Sequence, residues 1–334
     1  IYKLLPKTNC RECGFSTCLA FAMQLAKKAI DVNKCPYLSK ESKDALEAAS
    51  RPPIKLITLG EGEDKLEIGN ENVMFRHEEK FYHPCGVGFI IDDDLSDSEI
   101  KERIKKINKL DFERVGQKIK VNLIAVKQKK DAKRFAEVVK LTADNTALAL
   151  VLMSDDAAAL KTVLDFTGKR RPLIYRATKE NLKPIALLAK EHNLSLVASG
   201  KGIEEVSSLT TELNNLGLSD LVIETGDKSI SDKIWDLTEI RRLALKKNNR
   251  SLGYPTLVVV DNADPFEEAQ EAASYIAKYA GIVLIRGVES FENLALLTLR
   301  QNIYTDPQKP LQIEPKLYAV GSVSDKSPVL VTTN

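Results

Sequence analysis

Short apolar runs alternate with longer amphipathic segments eight times between residues 88 and 303. The runs are rich in Val, Ile and Leu without strict polar alternation, which is typical of parallel strands buried on both faces. They are Phe89–Ile91, Val121–Val126, Ala147–Met153, Leu173–Tyr175, Leu194–Ala198, Leu221–Ile223, Thr256–Val260 and Ile282–Ile285. The segments with helical periodicity that follow them are Ser96–Leu110, Ala132–Leu141, Asp155–Phe166, Lys179–His192, Ile203–Leu216, Ser229–Lys247, Pro265–Tyr279 and Phe291–Ile303.

The number of strand–helix units indicates the fold class. Eight units over roughly 215 residues match the number and size of the units in a TIM barrel. An open doubly wound sheet would show the same alternation. No glycine-rich GxGxxG sequence follows the first run, however, so the barrel is favoured. We predict an α/β protein with a (β/α)8 TIM barrel at residues 88–320.

The residues before the barrel follow a different pattern. A helix is predicted over Ser16–Ile30, which is rich in good helix formers. A second, polar helix is predicted around Ser39–Ala49, and Pro52-Pro53 then marks a linker. We therefore predict a small, mainly helical domain at residues 1–51.

Residues 52–87 are predicted to be a linker and a strand-like lead-in to the barrel. Short strand-like pieces occur at Ile54–Ile57 and Val73–Phe75, with glycines between them. Because the linker is short, we expect the N-terminal module to move relative to the barrel. The alternative is a rigid packing of Phe15, Phe21 and Met23 against the barrel.

Four of the five cysteines lie in the first 35 residues. Cys10, Cys13, Cys18 and Cys35 have the spacing C-x2-C-x4-C-x16-C. Thiolates hold iron–sulfur clusters, and a cubane [4Fe–4S] cluster needs four of them. One loop could carry the first three ligands, and a helix could return the chain to the fourth. The spacing predicts that these four cysteines bind the cofactor and ligate its metal.

Neighbouring residues support a cluster. Cys18 would lie in the first turn of a helix, where free N–H groups and the helix dipole favour an anionic group. Gly14 would allow a tight loop, and Pro36 follows Cys35 as a proline follows the last cysteine of a bacterial ferredoxin sequence. A zinc site remains an alternative, although zinc ligands usually come as two closely spaced pairs. A disulfide framework suits small secreted domains, and no signal peptide is visible.

The composition and charge of the chain indicate which kinds of partner it can bind. The 49 basic and 47 acidic residues give a net charge of +2, which argues against a nucleic-acid surface. No run of 18 apolar residues occurs, so we expect no membrane span and a cytoplasmic, reducing setting. The first 40 residues, however, contain seven basic residues and only two acidic ones. This charge could offset an anionic cluster and guide an acidic redox partner, or simply form a solvated face.

In such barrels, the loops after the strands build any site. The residues at the strand ends are Asp92, Asp93, Asp94, Lys127, Ser154, Asp155, Arg176, Ser199, Gly200, Glu224, Thr225, Asp227, Asp261, Asn262, Asp264, Arg286 and Glu289. They could form a pocket for a polar small molecule or a docking face for a protein. A solvated mouth is the simpler interpretation, because helix capping alone explains Asp155, Ser229 and Asp264.

The chain offers few other catalytic candidates. The three histidines, His77, His83 and His192, do not pair at i, i+4. Cys85 is more typical of a small buried residue than of a nucleophile. No P-loop and no D-x-H-x-x-G cobalt-binding stretch is present. We therefore assign no catalytic residue and predict that the barrel is a docking scaffold.

The segment LPKTNCRECGFSTCLAFA at residues 5–22, with NKCP at residues 33–36, resembles the cluster domain of a known family. The family is the corrinoid/iron–sulfur protein large subunit, the gamma subunit of the acetyl-CoA decarbonylase/synthase complex. Its cluster module also occurs in membrane-associated electron-transfer subunits. The order of cluster module, proline linker and barrel extends the resemblance over essentially the whole chain.

The resemblance implies a methyl carrier. It would take a methyl group from a methyl-tetrahydrofolate methyltransferase and deliver it to acetyl-CoA synthase. The [4Fe–4S] cluster would reduce Co(II) to Co(I) for reactivation. The implied partners also include a small subunit, forming a heterodimer, and a reductive activator. The alternatives are a cluster-containing electron-transfer protein and a pterin-binding barrel methyltransferase.

The resemblance also implies a third, C-terminal domain that holds the corrinoid. Residues 321–334 would be its start, and we expect it to continue beyond Asn334. The chain begins with Ile1 rather than Met, so we expect residues before it as well. No corrinoid ligand is assigned to any residue of this chain.

Overall fold

A computed structural model describes residues 1–26, 30–43, 46, 52–309, 311–312 and 316–331. The strands are β1 (Ile57–Leu59), β2 (Leu66–Ile68), β3 (Gly86–Asp92), β4 (Asp111–Arg114), β5 (Gln117–Lys120), β6 (Leu123–Lys127), β7 (Ala149–Met153), β8 (Leu173–Ala177), β9 (Leu196–Ser199), β10 (Leu221–Glu224), β11 (Leu257–Val259) and β12 (Ile282–Ile285). The α-helices are α1 (Cys18–Ala26), α2 (Asp97–Ile107), α3 (Ala132–Asn145), α4 (Ala157–Thr167), α5 (Leu182–Glu191), α6 (Ile203–Asn215), α7 (Ile230–Lys247), α8 (Pro265–Ala277) and α9 (Ser290–Tyr304).

Eight parallel strands form the central sheet, in the order β10-β9-β8-β7-β6-β3-β12-β11. A parallel bridge between Ile223 and Thr256 joins the two outer strands and closes the sheet into a barrel. All eight predicted strands and the eight helices that follow them are present, so the predicted TIM barrel is confirmed.

The apolar runs form barrel strands because both of their faces are covered. In β7 every residue is buried. Leu150 and Leu152 pack on the surrounding helices, whereas Val151 and Met153 fill the barrel interior. This double burial explains why the runs lack polar alternation.

The strands β1 and β2 plug the barrel at the end where its strands begin. They pair antiparallel, and Leu59 and Ile68 belong to the same hydrophobic cluster as the interior side chains. A Cβ atom on Gly86, the first residue of β3, would lie 2.5 Å from Leu66 Cδ2. The lead-in segment is therefore part of the barrel core.

Two local predictions differ from the structure. The strand-like piece predicted at Ile54–Ile57 is displaced to Ile57–Leu59, and Val73–Phe75 is not a strand. Instead, the guanidinium of Arg241 donates two hydrogen bonds to the Val73 carbonyl, at 3.0 and 2.6 Å. The buried Glu71 carboxylate accepts the N–H of Tyr82 at 2.8 Å and thereby holds the same segment. The backbone N–H and C=O groups of this segment are therefore hydrogen-bonded by side chains rather than by a neighbouring strand.

The hairpin of β4 and β5 was not predicted, because most of its residues are polar and partly exposed. Its two-residue turn is Val115-Gly116, with φ of 52° and 67°. Such turns favour Asn-Gly or Asp-Gly, so with Val115 at the first turn position the usual sequence signal for a hairpin is absent.

The predicted N-terminal helix begins at Cys18, two residues later than expected, and is described over Cys18–Ala26. The second predicted helix, Ser39–Ala49, lies largely outside the described residues, of which 40–43 and 46 are helical. Within the described part of the chain, no helix is long and apolar enough to cross a membrane.

Candidate iron–sulfur site and barrel mouth

The four N-terminal cysteines line one small pocket, together with apolar side chains such as Leu5 and Phe21. Cys10 is exposed, Cys13 is partly buried, and Cys18 and Cys35 are buried. None of the four forms a disulfide. The structure therefore brings the four predicted ligands to one pocket. They are not close enough together to hold a single metal ion, since no three Cys, His, Asp or Glu side chains among the described residues are grouped in that way.

Local hydrogen bonds fix the position of Cys18 at the start of α1. The Thr17 hydroxyl accepts the N–H of Ala20 at 3.1 Å, as an N-cap residue does. The Asn9 side chain accepts the N–H of Cys18 at 2.8 Å and ties the cysteine loop to the helix. The thiol of Cys18 therefore lies at the positive end of the helix dipole, as predicted.

The loop that carries Cys10 and Cys13 has an unusual backbone. Lys7, Asn9 and Arg11 have φ of 58°, 50° and 69°. When residues with left-handed backbone angles alternate with residues of ordinary backbone angles, successive N–H groups can point into one concavity. Such concavities bind anions, including many iron–sulfur clusters.

Gly14 completes the loop with φ of 85°. A Cβ atom would meet nothing within 4 Å there, so the backbone angle rather than space requires glycine. Four thiols in one pocket, a loop with left-handed residues and a helix N-terminus suit an anionic cluster, so these residues fit the predicted group.

Apolar side chains support this site from within the module. Phe15 and Phe21 pack edge to face, with ring centroids 5.9 Å apart. They belong to a hydrophobic cluster with Leu25 and Val32 that is distinct from the two clusters of the barrel. Met23 is 57% exposed. The alternative in which these two rings and Met23 pack on the barrel is therefore not observed.

The remaining cysteine and the histidines lie elsewhere. Cys85 is fully buried, and burial raises the pKa of its thiol to about 12. The reactive thiolate is therefore disfavoured, as predicted for a packing residue. His77 stacks on Phe75, and His192 follows the end of α5.

One side of the barrel mouth is organised by Arg286. Its guanidinium bonds Asp92 at 2.7 Å and Asp261 at 2.5 and 3.2 Å. These bonds hold the pKa of Asp261 below its ordinary value. Burial opposes the ionisation of Asp92, but the bonds from Lys129 and Arg286 hold its pKa low as well. These strand-end residues are therefore paired with one another.

The other side of the mouth contains Glu224, Ser199 and Arg176. The Ser199 hydroxyl donates a short hydrogen bond to the buried Glu224 carboxylate. Arg176 lies 3.9 Å from the same carboxylate and 3.4 Å from Asp155. Burial raises the pKa of the neighbouring Tyr175 hydroxyl.

The capping roles are partly as predicted. Ser229 caps α7, and Asp264 caps α8. Asp156 rather than Asp155 caps α4, because the Ser154 hydroxyl accepts the N–H of Asp156 at 2.9 Å and sets the turn. The prediction for Asp155 was wrong by one residue.

Other predicted rim residues are structural. The carboxylate of Asp93 is fully buried and accepts the N–H groups of Lys129 and Lys130, at 2.7 and 3.0 Å. Asn262 accepts the N–H of Asp264 at 3.1 Å, and Glu289 precedes α9. These contacts shape the loops of the mouth, and Asn262 also lines a cavity beside Arg286.

A buried pair of carboxyl groups, Glu268 and Glu292, was not predicted. Each residue is 1% exposed. Glu268 accepts the N–H groups of Arg286 and Gly287, at 2.8 and 2.6 Å. No donor bonds either oxygen of Glu292 among the described residues. Burial and the contact with Glu268 raise the pKa of Glu292 to about 8.

Comparison with known proteins extends these observations. A family model for the CO dehydrogenase/acetyl-CoA synthase delta subunit matches residues 56–334, and an Fe–S cluster family model matches residues 5–37. A dihydropteroate synthase structure from Vibrio fischeri has a TM-score of 0.52 and 12% identity, covering 67% of this chain and 95% of that one. This likeness shows the barrel fold alone.

Two curated relatives match the full length of the chain. The corrinoid/iron-sulfur protein large subunit of Moorella thermoacetica is 44% identical, and the match covers 75% of that protein. The acetyl-CoA decarbonylase/synthase complex subunit gamma of Methanothermobacter thermautotrophicus is 34% identical, with 76% of it covered. The chain therefore belongs to the family of corrinoid/iron–sulfur protein large subunits, which includes the gamma subunits of the acetyl-CoA decarbonylase/synthase complex.

Proposed function

We propose that Cys10, Cys13, Cys18 and Cys35 bind a [4Fe–4S] cluster that serves a methyl-carrying corrinoid protein. The single observation that carries the proposal is the common pocket of the four thiols. Their spacing along the chain favours a cluster over a zinc site, since zinc ligands usually come as two close pairs. When bound, the cluster supplies one electron at a time, for the reactivation of cobalt from Co(II) to Co(I).

The residues around the pocket have separate tasks. The four thiolates bind the irons, and the N–H groups of the loop at residues 7–13 stabilise the negative charge, whereas the Gly14 N–H closes the loop by donating to the Arg11 carbonyl. Asn9 and Thr17 hold Cys18 at the end of the helix dipole. Phe21 and Leu5 keep water from the inner side of the pocket. Cys10 is exposed, which leaves one edge open to an electron donor.

The barrel is proposed to be a docking scaffold within a larger assembly. The partners are a small subunit in a heterodimer, a methyl-tetrahydrofolate methyltransferase, acetyl-CoA synthase and a reductive activator, all in the cytoplasm. The corrinoid is proposed to bind a C-terminal domain outside residues 1–334. No described residue is assigned to it or to catalysis.

Cysteine substitutions test the cluster assignment. The protein, purified without oxygen, is expected to contain about four irons and four sulfides per chain. Replacing Cys18 or Cys35 with Ser is expected to lower both contents severalfold, since a buried thiolate ligand is lost. Cys85→Ser is the matched control, because Cys85 is buried elsewhere in the barrel. Its iron and sulfide contents should equal those of the unchanged protein.

One zinc per chain without acid-labile sulfide would contradict the proposal. So would an equal loss of iron from the Cys85→Ser and Cys18→Ser proteins, because the metal would then depend on general folding rather than on the four thiols.

A further inference from the structure

A pocket of about 410 Å3 opens at the barrel mouth beside the start of α4. Its size falls in the range of small-molecule sites. Side chains of β6, β7, β8 and β11 contribute to its wall, among them Lys127, Met153, Tyr175, Arg176 and Val259. In barrels of this kind, the mouth at the carboxyl ends of the strands is where ligands bind.

Lys127 is one of the cations that line this pocket. It is the last residue of β6 and follows the inward-facing Leu123 and Ala125 at two-residue intervals, so its side chain is directed to the top of the barrel interior. Within the described ranges, no hydrogen bond or ion pair engages its amino group. Its neighbour Lys129, in contrast, pairs with Asp92 at 2.8 Å.

Arg176 is a second cation of the pocket that a bound anion could contact. Its contact with Asp155 is long, at 3.4 Å, and the Asp155 side chain is 68% exposed, whereas the buried Glu224 carboxylate lies farther away, at 3.9 Å. Such exposed pairs contribute little to stability, so a bound anion can replace the carboxylate. Counting all residues that line the pocket, four are basic and two are acidic.

The wall that carries these cations is already rigid. The buried Asp93 carboxylate accepts the N–H groups of Lys129 and Lys130 and fixes the loop after β6. The Ser154 hydroxyl donates to the Gln128 side chain at 2.5 Å and joins this loop to the one after β7. A preformed wall does not have to be ordered when a ligand binds, which favours affinity.

We propose that this pocket binds an anionic small molecule. Its phosphate or carboxylate group contacts Lys127 and Arg176, and an apolar part lies against Met153, Tyr175 and Val259. The inference rests on the barrel mouth alone and does not depend on the iron–sulfur cluster.

Calorimetric titration of the full chain with inorganic phosphate and with phenyl phosphate tests the proposal. Both are expected to bind saturably, and phenyl phosphate more tightly, because its ring covers the apolar wall. Lys127→Met is expected to weaken phenyl phosphate binding by about tenfold, the effect of one charged hydrogen bond. Lys127→Arg should retain most of the affinity, which separates loss of charge from misfolding.

Lys140→Met is the matched control. Lys140 is exposed in the second half of α3, towards the opposite end of the barrel, and its loss should leave binding unchanged. Iron content, measured on the same samples, should be equal in all variants, so a failed cluster assignment would not be mistaken for a failed anion site. Absence of saturable binding, or equal weakening by Lys127→Met and Lys140→Met, would overturn the proposal. Equal affinity for the two probes would mean an adventitious ion only and would overturn it too.

Discussion

At the scale of single residues, Glu292 is the side chain with the clearest consequence for solution behaviour. It is buried beside the Glu268 carboxyl group, and Glu289 adds a further negative charge, while Arg103 acts in the opposite direction. Because Glu268 already accepts two backbone N–H groups, a proton shared between the two carboxyl groups resides on Glu292. Protonated Glu292 can then donate to Glu268.

This pair predicts a pH dependence of stability. The pKa of Glu292 is about 8 in the folded protein and 4.5 ordinarily, so the folded state retains a proton that the unfolded chain releases. Its stabilising effect is complete below pH 4.5 and is lost as the pH rises to about 8. The free energy of unfolding should fall by at most about 1.4 kcal/mol per pH unit from this group.

Glu292→Gln should flatten that slope, because the amide donates to Glu268 at every pH. Urea unfolding at several values between pH 5 and pH 8 measures it. Glu267→Gln, which removes an exposed carboxylate on the same helix as Glu268, serves as the control and should keep the slope. An unchanged slope in Glu292→Gln would show that the pair is ionised throughout.

At the scale of elements, the plug formed by β1 and β2 is expected to be essential to the barrel. Leu59 is fully buried in the interior cluster. Leu59→Ala should lower the free energy of unfolding by about 2–5 kcal/mol, since it leaves a cavity that the barrel cannot collapse to fill. Leu56→Ala, in the same segment but at a position 36% exposed, should cost far less. Equal losses in chemical denaturation would mean that the plug is not part of the cooperative core.

The sequence was sufficient to predict the barrel, because each barrel strand is buried on both faces and each helix on one, and both kinds of burial leave a recognisable apolar pattern. It was not sufficient for the β4–β5 hairpin, whose turn places the β-branched Val115 at positive φ. Nor could it predict the backbone around Val73, which is held by Arg241 from a distant helix. Contacts of this kind depend on packing between elements far apart in the chain.

The same distinction applies to the candidate sites. That the four cysteines share one pocket could be expected, because their spacing along one short segment is itself the signal. The Glu268–Glu292 pair could not, because the two residues meet only where α8 packs on α9. The ion pairs among the rim residues, and the lack of one at Lys127 within the described part of the chain, likewise could not be predicted, because they depend on how the closed barrel brings the strand ends together.

At the scale of the whole molecule, we expect the cluster module to move relative to the barrel. The module has its own hydrophobic cluster, and Arg250 donates a hydrogen bond to the Pro52 carbonyl at 3.0 Å, so Pro52 itself is attached to the barrel. Movement would let the module approach the corrinoid and then withdraw.

NMR relaxation of backbone amides tests this motion. Residues 1–43 should report a shorter rotational correlation time than the barrel helices do. A single correlation time for both parts would contradict the expectation and favour a rigid attachment.

Native mass spectrometry of the anaerobically purified chain tests most directly whether the four cysteines hold one [4Fe–4S] cluster. The expected mass is that of the polypeptide plus four irons and four sulfides, with the four ligand thiols deprotonated. A mass that corresponds to the polypeptide plus a single zinc ion, without sulfide, would contradict it.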